Sequence, residues 1–207
     1  MQLNYPVNDL TIAILAGGES SRFGGDAKPL RCISGKPMLE HMLEKALQIS
    51  DDVHVVIRND MRAAIQYQGP VYEDLFKGKG PLGGIHAALK RSGRERLLVL
   101  PADMPYLKSE TLQYFLDKIH AQACDFAYLK AGEKVQPLIS IYKNTPELVK
   151  VIEQLFASGK TNSVMALLRK TKANQIVLST KGVEPVEFQN INFPEDLKPD
   201  GQNGGNP

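Results

Sequence analysis

The sequence predicts an α/β fold: a single three-layer domain with a mixed, mostly parallel central sheet. Three observations carry that expectation. Short, uniformly apolar runs alternate along the chain with amphipathic stretches, the strand–helix–strand pattern of a parallel sheet. The 207 residues, 43% hydrophobic and 23% charged, suit one domain with a sizeable core. Two apolar runs, 124–130 and 135–143, are joined by the short turn AGEK, which favours antiparallel pairing and so a mixed sheet.

The elements follow in order. LTIAIL (10–15) is apolar throughout and too short for a surface helix, so it reads as a buried strand. KPMLEHMLEKALQ (36–48) puts Met38, Leu39, Met42, Leu43, Ala46 and Leu47 on one helical face, with Pro37 at the first helical position. VHVVI (53–57) and PVYE (70–73) are the second and third strands. PLGGIHAALKRS (81–92) opens on glycines and continues as a helix with Ile85, Ala88 and Leu89 inward. RLLVLPAD (96–103) is the strongest apolar run and belongs at the centre of the sheet. SETLQYFLDKIHAQ (109–122) is the next helix, with Ser109 as its N-cap. Helices over 145–159 and 162–171 precede a last strand, QIVLS (175–179). Residues 1–199 read as one domain, and the polar, glycine-rich DGQNGGNP (200–207) as a disordered tail.

Bulk chemistry narrows the function classes. A net charge of +2 gives no reason to expect a nucleic-acid or membrane partner, while a small anionic substrate needs only a local basic patch. Cys32 and Cys124 lie far apart and form no CxxC pair, which argues against a disulfide framework or a zinc site. The N-terminus has neither the basic nor the apolar region of a signal peptide. No apolar run approaches the ~18 residues of a membrane span. A cytoplasmic protein is expected.

Three motifs carry chemistry. AILAGGESSRFGGDAKPL (13–30) joins the first strand to the first helix, where open α/β sheets bind ligands. Gly17 and Gly18 permit close backbone approach to an anion, and Arg22 and Lys28 add positive charge. The spacing fits neither GxxxxGK[ST] nor GxGxxG; a plain glycine-rich turn is the alternative. LPADMP (100–105) places Asp103 directly after the strongest strand, where a carboxylate can hold Mg²⁺ or simply cap a turn. YED (72–74) puts Asp74 or Glu73 at the end of the third strand, and GKGPLGG (78–84) adds a second glycine loop. Together, two glycine loops, two strand-end acids and a lysine on one rim match the needs of phosphoryl or nucleotidyl transfer. His41, His54, His86 and His120 share no ligand spacing and read as packing or surface residues. Ser20 and Ser21 lack the G-x-S-x-G context of a serine hydrolase.

LAGGESSRFGGDAK, GKPML, ED before GPLGGIHAAL, and LPADMPYL resemble, in that order, the nucleotidyltransferase superfamily. Within it, QPLISIYK (136–143), GKTNSVMALL (159–168) and NINFPEDL (190–197) are similar to later motifs of the molybdenum cofactor guanylyltransferases of the MobA type. The resemblance spans about residues 10 to 197. It implies a Rossmann-like domain that transfers GMP from GTP to molybdenum-bearing molybdopterin, with Mg²⁺, releasing pyrophosphate. By position, Leu15, Ala16, Gly17 and Gly18 would contact the guanine and its sugar, and Asp74 would hold the nucleoside. Arg22 and Lys28 would face the triphosphate, Asp103 would bind Mg²⁺, and Asn190 and Asn192 would lie near the pterin-side substrate. The chain departs from the pattern around Lys28: Asp26 stands one position early, Ala27 precedes the lysine and Pro29 follows it. Arg58 stands where an asparagine is usual, so Asn59 is the residue carried over. A cofactor product so delicate suits direct hand-over to a transient molybdoenzyme or maturation-protein partner, although no motif marks one. Two alternatives stay open: a related nucleotidyltransferase using CTP or a sugar-phosphate acceptor, and a non-catalytic nucleotide-binding protein.

Overall fold

The computed structural model describes residues 3–17, 28–57, 59–76, 78–122, 124–159, 163–171, 175–179, 183–192 and 196, without the side chains of 59–61 and 175–179. The tail 200–207 lies outside the described residues. In chain order the elements are β1 (Leu10–Leu15), the small hairpin β2 (Cys32–Ile33) and β3 (Lys36–Pro37), and α1 (Met38–Leu47). β4 (Asp52–Ile57), β5 (Val71–Glu73), α2 (Gly80–Arg91), β6 (Arg96–Pro101) and α3 (Ser109–His120) follow. The chain continues through β7 (Phe126–Ala131), β8 (Lys134–Lys143), α4 (Pro146–Ser158), α5 (Val164–Lys170) and β9 (Gln175–Ser179).

Seven strands form one sheet in the order β5-β4-β1-β6-β8-β7-β9. β1 runs parallel to both β4 and β6, and β4 to β5. β8 runs antiparallel to both β6 and β7, so one reversed strand makes an otherwise parallel sheet mixed. The expected placement of RLLVLPAD holds: β6 is the middle strand of the seven. β1 is buried at all six positions. Its alternate residues serve two cores, which is why its sequence shows no polar alternation. Leu10, Ile12 and Ile14 pack with α1 and α3 residues such as Met42, Leu43, Leu112 and Phe115. Ala13 and Leu15 pack on the other face with Leu82, Ile85, Ile152, Phe156 and Leu167 from α2, α4 and α5. These are the three expected layers.

Three local expectations shift. Leu47, placed with the inward face of α1, is 48% exposed. At about 100° per residue it lies on the flank of the stripe centred on Met42, Leu39 and Ala46, where the sheet no longer covers it. Pro37 precedes α1 as its N-cap, one residue before the expected position. α3 differs more. Its N-cap is Lys108, with no capping bond from that side chain, and the Ser109 hydroxyl instead donates to Gln48 Oε1 at 2.8 Å. The acceptor at this helix end comes from Glu187, 79 residues away.

Candidate active site

β1 lies between β4, which follows it in the chain, and β6, reached after the chain reverses its direction of travel across the sheet. The carboxyl ends of β1 and β6 therefore form the switch point at which doubly wound sheets bind ligands. The backbone stays tied to the sheet just past those ends. Ala16 N–H donates to Val56 O at 2.8 Å, and Ala102 N–H to Leu15 O at 3.1 Å. Leu15 and Ala16 are buried and Gly17 is exposed at the rim.

Asp103 follows Ala102 on that edge. The Lys28 ammonium, from the 3-10 turn Lys28–Leu30, makes an ion pair with the Asp103 carboxylate. The two side chains are only 16% and 21% exposed, so the pair is sheltered without being closed off. Lys28 Nζ also donates to Asn192 Oδ1 at 2.9 Å, and Asn190 Nδ2 lies 3.5 Å from Asp103 Oδ2. Ile191 N–H donates to Asp103 O at 2.9 Å, so the segment carrying the two asparagines docks on Asp103 through backbone and side chain alike. Pro29 is buried and anchors the turn that presents Lys28.

Asp74 stands one residue past β5 on the same edge. Glu73 is exposed, whereas Asp74 is half-buried. Its Oδ1 accepts Phe76 N–H at 2.8 Å. Burial raises its pKa above the usual carboxylate value, with the Phe76 N–H and His86 acting in the opposite direction. The carboxylate rests on the first turn of α2 at Gly83, where an added Cβ would come within 3.0 Å of both carboxylate oxygens. α2 begins at Gly80, whose φ of +58° is a left-handed conformation that suits glycine.

The structure thus brings together Lys28, Asp103, Asn190 and Asn192, with Leu15, Ala16, Gly17 and Asp74 along the same edge. Gly18 and Arg22 lie outside the described residues, as does the Asn59 side chain, although the Asn59 backbone sits in the 3-10 turn Asn59–Ala64. The histidine reading agrees with the geometry. His86 Nε2 pairs with Glu153 at 3.0 Å, His54 Nε2 with Asp52 at 2.9 Å, and His41 Nε2 with the carbonyl of Ile33 at 3.0 Å. Glu187, only 2% exposed, received no role from the sequence; the sole signal is an acid among apolar neighbours, three residues before Asn190.

Residues 12–181 match the MobA-like NTP transferase domain. The chain belongs to that family. This MobA-like NTP transferase is 30% identical over 192 residues to the molybdenum cofactor guanylyltransferase of Desulfosudis oleivorans, covering 91% of the chain and 93% of the relative. It is 33% identical over 185 residues to the enzyme of the same name from Shewanella putrefaciens, covering 88% and 91%. A solved structure from Archaeoglobus fulgidus, titled molybdopterin-guanine dinucleotide biosynthesis protein A, superimposes with a TM-score of 0.73 at 28% identity, covering 90% of the chain and 94% of that structure. The MobA-like NTP transferase is accordingly an enzyme, a nucleotidyltransferase, and NTP transferases of this kind generally use a divalent metal. Among its described residues no helix is long and apolar enough to cross a membrane.

Proposed function

We propose that this enzyme transfers GMP from GTP to molybdenum-bearing molybdopterin in the cytoplasm, using Mg²⁺ and releasing pyrophosphate. The observation that carries the reading is the convergence of Lys28, Asp103, Asn190 and Asn192 at the sheet's switch point. A phosphate oxygen of the acceptor attacks the α-phosphorus of GTP in line, forming the new P–O bond as the bond to the bridging oxygen breaks and pyrophosphate leaves. That attacking oxygen is already anionic, so no strong general base is required. Lys28 exchanges Asp103 and Asn192 for the phosphates and neutralises charge that builds on the leaving group. Leu15, Ala16, Gly17 and Gly18 hold the base and sugar, Asp74 and Asn59 the nucleoside, and Arg22 the triphosphate.

The donor set at Asp103 fits Mg²⁺. It offers one carboxylate on a partly exposed rim, and Mg²⁺ takes one or two carboxylates and completes its shell with water and phosphates. Asp103 would hold the ion, which would supply charge neutralisation to the triphosphate.

On the acceptor side, a groove of about 700 Å³ opens beside the asparagine segment, lined by Lys134, Gln136, Val183, Phe188 and Gln189 among others. Apolar walls with a few amide and ammonium groups suit a flat heterocycle with a polar edge. The product passes from there to a transient molybdoenzyme or maturation protein.

Pyrophosphate release with purified molybdenum-molybdopterin and Mg²⁺, measured with GTP, CTP and ATP in parallel, tests the reading. Release with GTP alone is expected. Release with CTP alone would overturn the base assignment, and GTP binding without release would make the chain a binding protein. Gly83→Ala tests the nucleoside side. The methyl group collides with the Asp74 carboxylate, so GTP affinity should fall about tenfold by calorimetry. The melting temperature should change little, because alanine's helix preference over glycine, about 1 kcal/mol, offsets the cost of displacing the carboxylate. Unchanged affinity would remove Asp74 from the nucleoside site.

A further inference from the structure

Glu187 is a nearly fully buried carboxylate, 2% exposed, outside the set of groups the reaction uses. Its Oε2 accepts the Lys108 N–H at 3.1 Å and the Thr111 hydroxyl at 2.6 Å, and its Oε1 lies 3.4 Å from Lys108 Nζ. These partners form the N-terminal end of α3, which has no capping bond from its own N-cap side chain. An acid at this end satisfies an otherwise orphaned donor and meets the positive end of the helix dipole.

The segment around Glu187 makes the contact matter. Phe188, next in the chain, enters the core, and Phe188 and Gln189 line the groove. Asn190 reaches Asp103, Ile191 donates to the Asp103 carbonyl, and Asn192 accepts from Lys28. One short segment is thus pinned to α3 at Glu187 and to the reacting edge at Ile191, with both asparagines beside the second pin. Removing the first leaves the buried Thr111 hydroxyl and the partly buried Lys108 N–H without that acceptor and frees the segment to shift. A displacement of about 1 Å in positioning groups can lower a rate about 10²-fold.

We infer that Glu187 is a positioning residue of the active site: by capping α3 it sets where Asn190 and Asn192 stand against Asp103 and Lys28, and so how the acceptor is held. The inference rests on the proposed reading of that site as the place of nucleotidyl transfer.

The test uses the full chain with Glu187→Ala, Glu187→Gln and the milder Thr111→Val, which removes a single donor and guards against loss of folding. Hydrogen exchange at the Ile191 amide reports docking of the segment without reference to activity. Steady-state kinetics report its consequence. In Glu187→Ala, Ile191 exchange should accelerate about tenfold or more while β1 and β6 amides stay protected. The acceptor KM should rise and kcat fall, about tenfold together, with GTP affinity within about twofold of wild type. Glu187→Gln, which keeps an acceptor oxygen, should restore most of both, and Thr111→Val should shift them in the same direction by less. Unchanged Ile191 exchange in Glu187→Ala overturns the inference. So does faster exchange with kcat and acceptor KM per folded molecule unmoved, because a purely structural cap lowers the melting temperature alone. A wild-type protein inactive with every nucleotide would instead sink the proposed function; the anchoring by Glu187 would then stand or fall on Ile191 exchange.

Discussion

Lys28→Ala is expected to lower turnover about 10³-fold, with GTP binding weakened far less. The lysine is already sited beside Asp103 and Asn192 on the sheet edge, held by two acceptors in a sheltered position. Its ammonium exchanges those acceptors for phosphate oxygens once the nucleotide is bound, and donors aimed at charge that develops on a leaving group are worth about 10²–10³ in kcat each. Because the interaction strengthens as the bond breaks, the loss should appear mainly in kcat. Single-turnover measurement with saturating GTP checks this, and turnover within about threefold of wild type would remove Lys28 from the transition state. Lys28→Arg should recover little, since a larger guanidinium with a rigid planar fork cannot occupy the position of a compact ammonium. The alanine variant also leaves the Asp103 carboxylate without its ammonium partner, a loss of about 1 kcal/mol of stability for a partly exposed pair.

Asp103→Asn should show the complementary pattern. Turnover is expected to fall about 10³-fold, because a neutral amide binds Mg²⁺ poorly and the charge stabilisation from the ion is worth several kcal/mol. The asparagine oxygen can still accept from Lys28, so the melting temperature should hardly move. Residual activity should need a much higher Mg²⁺ concentration, which a metal titration at fixed GTP reads directly. An unchanged Mg²⁺ requirement would assign the ion to another carboxylate. Combined with Lys28→Ala, the loss should be far less than multiplicative if the two groups act on one charge distribution.

Much of this was legible in the amino-acid order. The alternation of apolar runs with amphipathic stretches specified the strands and helices and their three-layer arrangement, since the period of hydrophobicity is a local property. The AGEK turn signalled the antiparallel pair that reverses β8. Asp103 and Asp74 could be assigned to one sheet edge from their places just after apolar runs. Two of the helix expectations that shifted, Leu47 and Ser109, did so for a common reason. Whether a flank residue is covered, or which acceptor caps a helix, depends on what the rest of the chain brings alongside.

The sequence by itself determined the strands of the large sheet, the helices, the layers and the edge on which the chemistry-bearing residues would gather, but not the small hairpin β2–β3. Only the tertiary structure decided which of them touch. Lys28 meets Asp103 across 75 positions of sequence and Asn192 across 164, and Glu187 reaches the Thr111 hydroxyl across 76. Such contacts have no local period. They exist because two cores, one on each face of the sheet, fix the strand ends and the closing segment closely enough for short hydrogen bonds to form between them.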